Sequence, residues 1–488
     1  MLRPALPLAL ILALVAGGCE RRGDNMPIAV SAIGGPAVLR DPTTTTTLDL
    51  PQRLMLASTA QGLVRFDASG GIEPGLAERW IVIDDGRSYI FRLREATWPD
   101  GKPVTAGDVV TALRRAVAPR RQAELSAFVE VIDEIVEMTP RIVEVRLKQP
   151  RPDLLKLFAQ PDFAVVRRSP LSGSGPFRVA AGEGPERLLR PVPAPRLPDE
   201  EVVEPDPARN IRLRGERAAL AIARFARRNS DLVLGGTYLN WPLLQYSEIA
   251  PANVRIDPAS GLFGLAVVSR NGFFSRPENR AAIAMAIDRP ALTAQVRSGW
   301  QPVETVLPER LDSEIDPVQP GWLAEPPEGR RMIARNRVAA WHANNPDEPL
   351  TVRIALDTGP GATLIWAALA RDLRRIGLQP VRVGLRDDAD LRLIDAVAPY
   401  DSARWYMVTA CRLCPEELTE LLDAARDAPT LPERAARLAE ADMALAADTA
   451  YIPIAQPLRW SLVALRLRAW QANNRAWHPL THLRAVDR

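Results

Sequence analysis

The sequence predicts an α/β protein built as more than one lobe, on three observations. Short runs with apolar residues at every second position alternate with runs whose apolar residues recur at helical spacing. Between 350 and 385 a strand pattern, a helix pattern and a second strand pattern follow one another, an order that implies a right-handed crossover and a parallel sheet. A chain of 488 residues, 47% hydrophobic and 25% charged, has ordinary globular composition and the length for two or three cores. Formal net charge is +3 and neither sign gathers into long blocks, so nothing points to a nucleic-acid partner. Lys102, Lys148 and Lys156 are the only lysines among 62 basic residues; the arginines are scattered, as a coding bias would leave them. The 45 prolines mark many stops and long connections.

The chain begins with an export pattern. Arg3 is followed by an apolar run from Ala5 to Ala16, too short for the roughly 20 residues that span a bilayer. Ala16-Gly17-Gly18-Cys19 then places small residues directly before a cysteine, as in a bacterial lipobox. The expectation is a signal peptide over 1–18 and a lipidated Cys19 as mature N-terminus. An ordinary secretory signal with an incidental cysteine is the alternative. No later segment is long and apolar enough to cross a membrane. Residues 20–27 read as a tether.

Leu39-Arg40-Asp41-Pro42 and the threonines 43–47 form a loop before a helix over 48–63. Asp85-Gly86 is a hairpin-type pair, because Gly takes the positive φ such a turn requires. Ile90 and Arg92 alternate with Phe91 and Leu93, the mark of a half-buried strand. Asp100-Gly101 makes a second turn. Thr105 and Asp108 are spaced as a capping box, and Val109, Ala112, Leu113, Ala116 and Val117 give the following helix one apolar stripe that stops at Pro119. Residues 131–137 and 142–147 read as paired strands, with a helix over 153–158 after Gln149-Pro150. Ser172-Gly173-Ser174-Gly175-Pro176-Phe177 is a turn whose glycines permit close backbone approach. A phosphate loop is disfavoured there, since no Lys-Ser/Thr follows. Seven prolines between 185 and 207, with Asp199, Glu200, Glu201, Glu204 and Asp206 among them, favour extended, solvated chain.

A strand over 211–213, a helix over 216–227 and a strand over 231–236 come next. Residues 262–268 form an apolar run read as a buried strand crossing between lobes. Ser275 and Glu278 are spaced as another capping box, and Asp288-Arg289 reads as a structural ion pair. Leu350, Val352, Ile354 and Leu356 alternate as a strand, a helix over 362–376 ends at Gly377, and 381–385 is the next strand. Thr430 and Glu433 cap a late helix, and 451–457 forms a return strand.

The wording of one block carries more than its periodicity. Gly62-Leu63, Leu76-Ala77-Glu78-Arg79-Trp80, Asp85-Gly86 and Trp98-Pro99-Asp100-Gly101-Lys102-Pro103-Val104-Thr105-Ala106-Gly107-Asp108-Val109 occur in that order at compact spacing. So does Arg280-Ala281-Ala282-Ile283-Ala284-Met285-Ala286-Ile287-Asp288-Arg289 later in the chain. This succession resembles the family 5 extracytoplasmic solute-binding proteins of ABC importers, which include oligopeptide-, dipeptide- and nickel-binding proteins. The resemblance implies a two-lobed, type II periplasmic-binding-protein-like α/β fold with a small additional α/β domain inserted in lobe one. The implied divisions are lobe I over 19–70, 171–263 and 452–488, the inserted domain over 71–170, and lobe II over 264–451. It further implies an extracytoplasmic, lipid-anchored monomer, not an enzyme and without cofactor. Such a protein closes on a small solute or peptide and presents it to an ABC permease and ATPase. Two departures stand out: Gln61 occupies a position where the family usually has Glu, and its Asn-Pro-x-Tyr-Trp-like segment is missing near 185–207. An envelope sensor or adaptor that kept the fold is the alternative, and a hydrolase using Cys411 or a metal is a third class.

The candidate site centres on 400–418. The family carries an aromatic strand there followed by Ala-Asp-Tyr-x-x-Pro, whose Asp neutralises a peptide's amino group. Here Ala410 and Pro415 fit that frame and Cys411 stands in the Asp position, which implies that free-amino peptides lose a charge-assisted bond. Trp405 and Tyr406 are expected to offer stacking surface, Arg404 an anion clamp, and Ser172 and Ser174 backbone and hydroxyl contacts. A zinc set from Cys411, Cys414, His478 and His482 is arithmetically available, but the spacer is far too long for a finger and Pro479 interrupts the HxxxH, so no metal is expected. In an exported protein the CxxC pair is a disulfide or two free thiols.

Overall fold

Apolar runs without a polar face become the inner strands of two large sheets. The computed structural model describes residues 26–45, 47–118, 125–180, 184–193 and 206–484. The signal peptide, Cys19, Pro119 and the acidic run 199–204 lie outside the described residues. Ile28–Ile33 is buried along almost its whole length. It pairs in parallel with Ile211–Glu216 on one side and Leu232–Thr237 on the other. The helix Ala218–Ala226 makes the crossover between those two neighbours. The full sheet, sheet I, has seven strands, ordered 177–179, 186–191, 211–216, 28–33, 232–237, 459–463 and 254–257.

Sheet II has five strands, ordered 379–383, 351–355, 391–397, 261–267 and 451–455. Thr351–Ala355 and Gln379–Val383 are parallel, joined by the helix Pro360–Arg375, and Gly377 takes a φ of +95° just beyond that helix. The chain passes from sheet I to sheet II through residues 258–260 and returns through 456–458. The flanking strands are neighbours in both sheets, Asp257 opposite Arg459 and Phe263 opposite Ala455, so the two crossings run side by side. The segments 262–268 and 450–456, expected from sequence to cross between the lobes, thus lie mostly within sheet II as the strands 261–267 and 451–455.

A third sheet, sheet III, is antiparallel and ordered 77–83, 88–93, 142–147 and 132–139. Asp84–Gly86 turns its first hairpin, with Gly86 at φ +87°. The helix Ala106–Val117 starts on the Thr105/Asp108 capping box and lays Val109 and Leu113 towards the sheet. Tyr89, Phe91, Val143 and Val145 meet it from below.

Several local expectations fail for identifiable reasons. Ser275 belongs to the one-turn helix Gly272–Ser275 and donates to Gly272 O at 2.8 Å, so Arg276 takes the cap position and no box forms with Glu278. Asp288 and Arg289 do not pair. Asp288 accepts from Ala291 N to cap its own helix, whereas Arg289 turns inward and pairs with Glu304 at 2.9 Å. Proline-rich chain at 185–207 still contributes Glu186–Pro191 to sheet I, with Leu189 fully buried; the prolines bound that strand rather than interrupt it. The first helix is shorter than expected, Leu50–Thr59, because Asp49 and Gln52 form a capping box. The expected aromatic strand is a helix, Ala403–Ala410. Asp312 accepts from Ala403 N at 2.6 Å and caps it from a distant loop.

Candidate functional site

Two faces meet across a cleft. The sheet III side brings the helix Leu154–Phe158 and the residues just before it. The sheet II side brings Tyr400, the helix Ala403–Ala410 and the antiparallel pair Glu416–Asp427 and Leu431–Asp448. Between them lies a narrow cleft, about 460 Å³ when the open solvent at its mouth is included. Phe128, Val131, Leu154 and Leu157 give it an apolar wall. Its charged lining is Arg151 and Asp153 on one side, Arg404, Arg426 and Arg434 on the other.

The four arginines are held in different ways. Arg426 is ringed by acids: Asp423 and Asp427 at 2.8 Å and Glu130, from the opposite face, at 3.4 Å. Arg434 pairs with Asp312 at 2.8 Å and donates to Ala425 O. Arg404 donates to Leu422 O at 3.0 Å and across the cleft to Ala127 O at 3.2 Å, and lies over the Phe128 ring; Asp423 stands off at 3.8 Å. Arg151 donates to Pro150 O and, across the cleft, to Arg426 O. Burial, with Arg434 and Arg404 beside it, pushes Arg151 down to about 9. Burial and then Asp312 push Asp153 up to about 6. Burial likewise raises Tyr400, whose ring meets Phe128 edge-on at 5.7 Å.

Beside the cavity a second group ties the faces together. Asp401, just past the sheet II strand Leu391–Val397, pairs with both Lys156 and Arg475. Arg475 also donates to Ala398 O at 3.0 Å and Gln160 to Pro399 O at 2.8 Å. Burial works to raise the Asp401 carboxyl, but the hydrogen bonds and charges of Lys156 and Arg475 hold it below its usual range. A ligand ammonium would therefore have to displace an internal cation to reach this carboxylate.

The family model for bacterial extracellular solute-binding proteins, family 5 Middle, matches residues 71–390. The chain belongs to this family. Among family relatives, the periplasmic oligopeptide-binding protein OppA of Salmonella typhimurium is 24% identical over 346 residues, 63% of this chain and 62% of that protein. The probable deoxycholate-binding periplasmic protein YgiS of Escherichia coli is 34% identical over 140 residues, 24% of this chain and 26% of that protein. The matches thus span from about a quarter to three fifths of these relatives. The fold is similar over a longer range. Haemophilus influenzae OppA in complex with RPPGFSPFR superposes with a TM-score of 0.76 at 16% identity, covering 93% of this chain and 98% of that one. The E. coli murein tripeptide binding protein MppA gives 0.76 at 19% identity with the same coverage.

Of the residues singled out from sequence in this solute-binding protein, Arg404 lines the cavity. Trp405 and Tyr406 sit on the same short helix but are 4% and 1% exposed; they pack edge-on against each other at 5.0 Å inside the core. They present no open ring face to the cavity, because the helical turn carries them inward where a strand would have alternated them. Cys411 is joined to Cys414 by a disulfide and also lies outside the cavity lining. Ser172 and Ser174 are elsewhere. Their segment packs on the first helix, where a Cβ on Gly173 would come within 2.4 Å of Ala60, so close approach is what the glycine serves. Ser172 Oγ donates to Pro170 O, and Ser174 O accepts from Gln61 at 2.7 Å. The zinc set is dispersed: His478 meets Asp257 at 3.1 Å and His482 meets Glu73 at 2.9 Å.

Sequence reasoning missed Arg151, Asp153, Lys156, Asp401, Arg434 and Arg475. One signal was available: Lys156 is a lysine in a chain that otherwise places Arg almost everywhere. A scattered arginine background hides the rest.

Proposed function

We propose that the protein captures a small solute, peptide-like or otherwise, in this cleft and delivers it to an ABC permease and its ATPase. The observation that carries the reading is the pair of side-by-side crossings at 258–260 and 456–458, set against a cleft whose facing walls both contribute polar groups. Two short parallel tethers let one body rotate on the other while the opposite rim opens and shuts. In this reading the sheet III unit, about 71–170, is the small additional domain of lobe I, and lobe II covers 264–451. Cys19 carries the lipid that keeps the protein at the membrane outside the cytoplasm, and it works as a monomer. The relatives named for oligopeptides and for deoxycholate bracket the chemistry, and the occupied Asp401 weighs against a free-amino peptide held by that carboxylate.

Native mass spectrometry of protein purified without refolding, followed by solution scattering with the solute found, tests this. A retained solute and a smaller radius of gyration at saturation are expected. An unchanged radius at saturation overturns the closing binder. For the anchor, Cys19→Ser is expected to lose both the lipid mass and detergent partitioning.

A further inference from the structure

We infer that opening of the cleft is governed from behind the crossings, where the loop after the sheet I strand Leu232–Thr237 bears on Gly361: a thicker contact there holds the cleft shut, and a thinner one lets it open wider. The inference rests on the reading of the two lobes as closing about the crossings, and it adds what bounds their motion.

The loop leaves sheet I but is seated in the other body. Tyr238, just past Thr237, is fully buried in the core on the sheet II side, edge-on to Phe263 at 4.9 Å. Leu239 O accepts from Gly361 N at 2.9 Å, in the first turn of the helix Pro360–Arg375. A Cβ on Gly361 would stand 1.8 Å from Tyr238 O, so only glycine lets the two backbones meet. The loop is also stiff. Asn240 Oδ1 accepts from Thr237 N at 3.0 Å, Thr237 Oγ1 from Leu239 N at 3.2 Å, and Thr237 O from Trp460 Nε1 at 3.0 Å. The Tyr238 hydroxyl has no hydrogen-bond partner among the described residues, so packing alone seats the ring and it can slide.

Its side of sheet II gives this contact its sense. Phe263 and Leu265 share a face with their opposite residues Asp395 and Leu393, and Tyr238 packs on that face. Leu262 and Ala266 turn to the other face, where the helix Ala403–Ala410 builds the cleft wall. The cleft and the loop therefore lie on opposite sides of the sheet that feeds both crossings. Arg459, directly after the return crossing, pairs with Asp395 at 2.7 Å on the loop's side and keeps the two bodies from lifting apart there. A rotation about the crossings that parts the cleft walls then presses the loop onto Gly361. Backbone meeting backbone in a packed core yields little, so the thickness of the contact sets the swing.

The test uses the whole chain, stripped of retained solute by refolding from urea and read by solution scattering, with urea midpoints to confirm folding. Gly361→Ala thickens the contact. Leu239→Ala, whose side chain lies beside Gly359, thins it, and Gly321→Ala is the control, since a Cβ there meets nothing within 4 Å. A compact chain of this length has a radius of gyration of about 23 Å. Gly361→Ala should lower the measured radius by a few per cent, Leu239→Ala should raise it by a similar amount, and Gly321→Ala should leave it unchanged. If Gly361→Ala does not fold, the radius of Leu239→Ala decides alone. A larger radius in Gly361→Ala, or no change in either folded variant, overturns the inference. The double variant Asp401→Asn/Gln160→Ala, which removes bonds across the front of the cleft, separates this inference from the reading beneath it. If that variant expands while neither loop-contact variant moves, control from behind the crossings falls and the closing binder stands. If none of the three moves, both fall.

Discussion

Two sets of arginines invite comparison, one in the interior beside sheet II and one in the cleft. Arg280 and Arg289 are 0% and 1% exposed, more buried than any arginine of the cavity. Arg280 grips the Asp448 carboxylate at 2.6 Å and the Asp448 carbonyl at 2.6 Å, and donates to Phe274 O. Arg289 pairs with Glu304 at 2.9 Å and donates to Pro453 O at 2.7 Å. Each has a carboxylate in direct contact, shared with a second arginine: Arg270 at Asp448 and Arg330 at Glu304. Arg289 ties its helix to the return strand, and Arg280 ties its helix to the end of the helix Leu431–Asp448. Arg151 and Arg404 have comparable hydrogen bonds, but their carboxylates stand farther off, Asp423 at 3.8 Å from Arg404 and Asp312 and Asp427 acting at longer range. Equally buried arginines thus differ in how directly a carboxylate meets them.

The comparison breaks most visibly at Arg280. Arg280→Met should leave the Asp448 and Phe274 carbonyls without their buried guanidinium donor, while Arg270 keeps the Asp448 carboxylate paired, and cost about 3 kcal/mol, read as a lower urea midpoint at unchanged slope. A cost below about 1 kcal/mol would put Arg280 in the same class as the cleft arginines.

Asp153 sharpens the cleft side. Its folded-state pKa is raised to about 6, so the stability it contributes is present below about pH 4 and lost as pH rises through 6. Asp153→Asn should therefore equal wild type near pH 4 and exceed it by about 1–2 kcal/mol at pH 7, after screening at a partly exposed position. Urea midpoints of both proteins at the two pH values decide it; a constant difference refutes the assignment.

Asp401 comes next. Asp401→Asn removes the counter-charge of Lys156 and Arg475 across the cleft and should cost the closed form about 1 kcal/mol. The expected readout is a larger radius of gyration without solute, with the unfolding midpoint nearly unmoved. An unchanged radius would mean the other cross-cleft bonds suffice.

The smallest effect is expected at Arg151. Arg151→Gln relieves like-charge proximity to Arg404 and Arg434 and should change stability by less than about 0.5 kcal/mol, in either direction. A loss as large as that of Arg280→Met would show a structural arginine in the cavity, and the contrast between the two sets would dissolve.

Local chemistry made much of the fold readable. The Thr105 box, the Asp85-Gly86 turn, Gly377 and the Thr430 cap each act within a few residues, and each appears where its spacing puts it. The cleft could not be read that way. Asp401 and Lys156 are 245 residues apart, and the helix bearing Arg404 is capped by Asp312 from 91 residues upstream. A strand reading of 400–410 placed Trp405 and Tyr406 at the ligand; the remote cap made a helix and turned both rings into the core. Ser275 shows the same limit at short range, since a single preceding turn moved the cap by one residue.

The strand order of sheet I also sets a timetable. Val254–Asp257 has one neighbour in that sheet, Arg459–Val463, and Asn253 is bonded to Val463 from 210 residues away. A chain emerging from the ribosome N-terminus first makes this edge just past its midpoint and must leave it unpaired until the last described strand appears. Sheet II closes on Tyr451–Ala455 only slightly sooner. Neither large sheet has all its strands before 451–455 and 459–463 have been made, whereas the third sheet is complete by residue 147, so the two large sheets wait on the end of the chain and the small one does not.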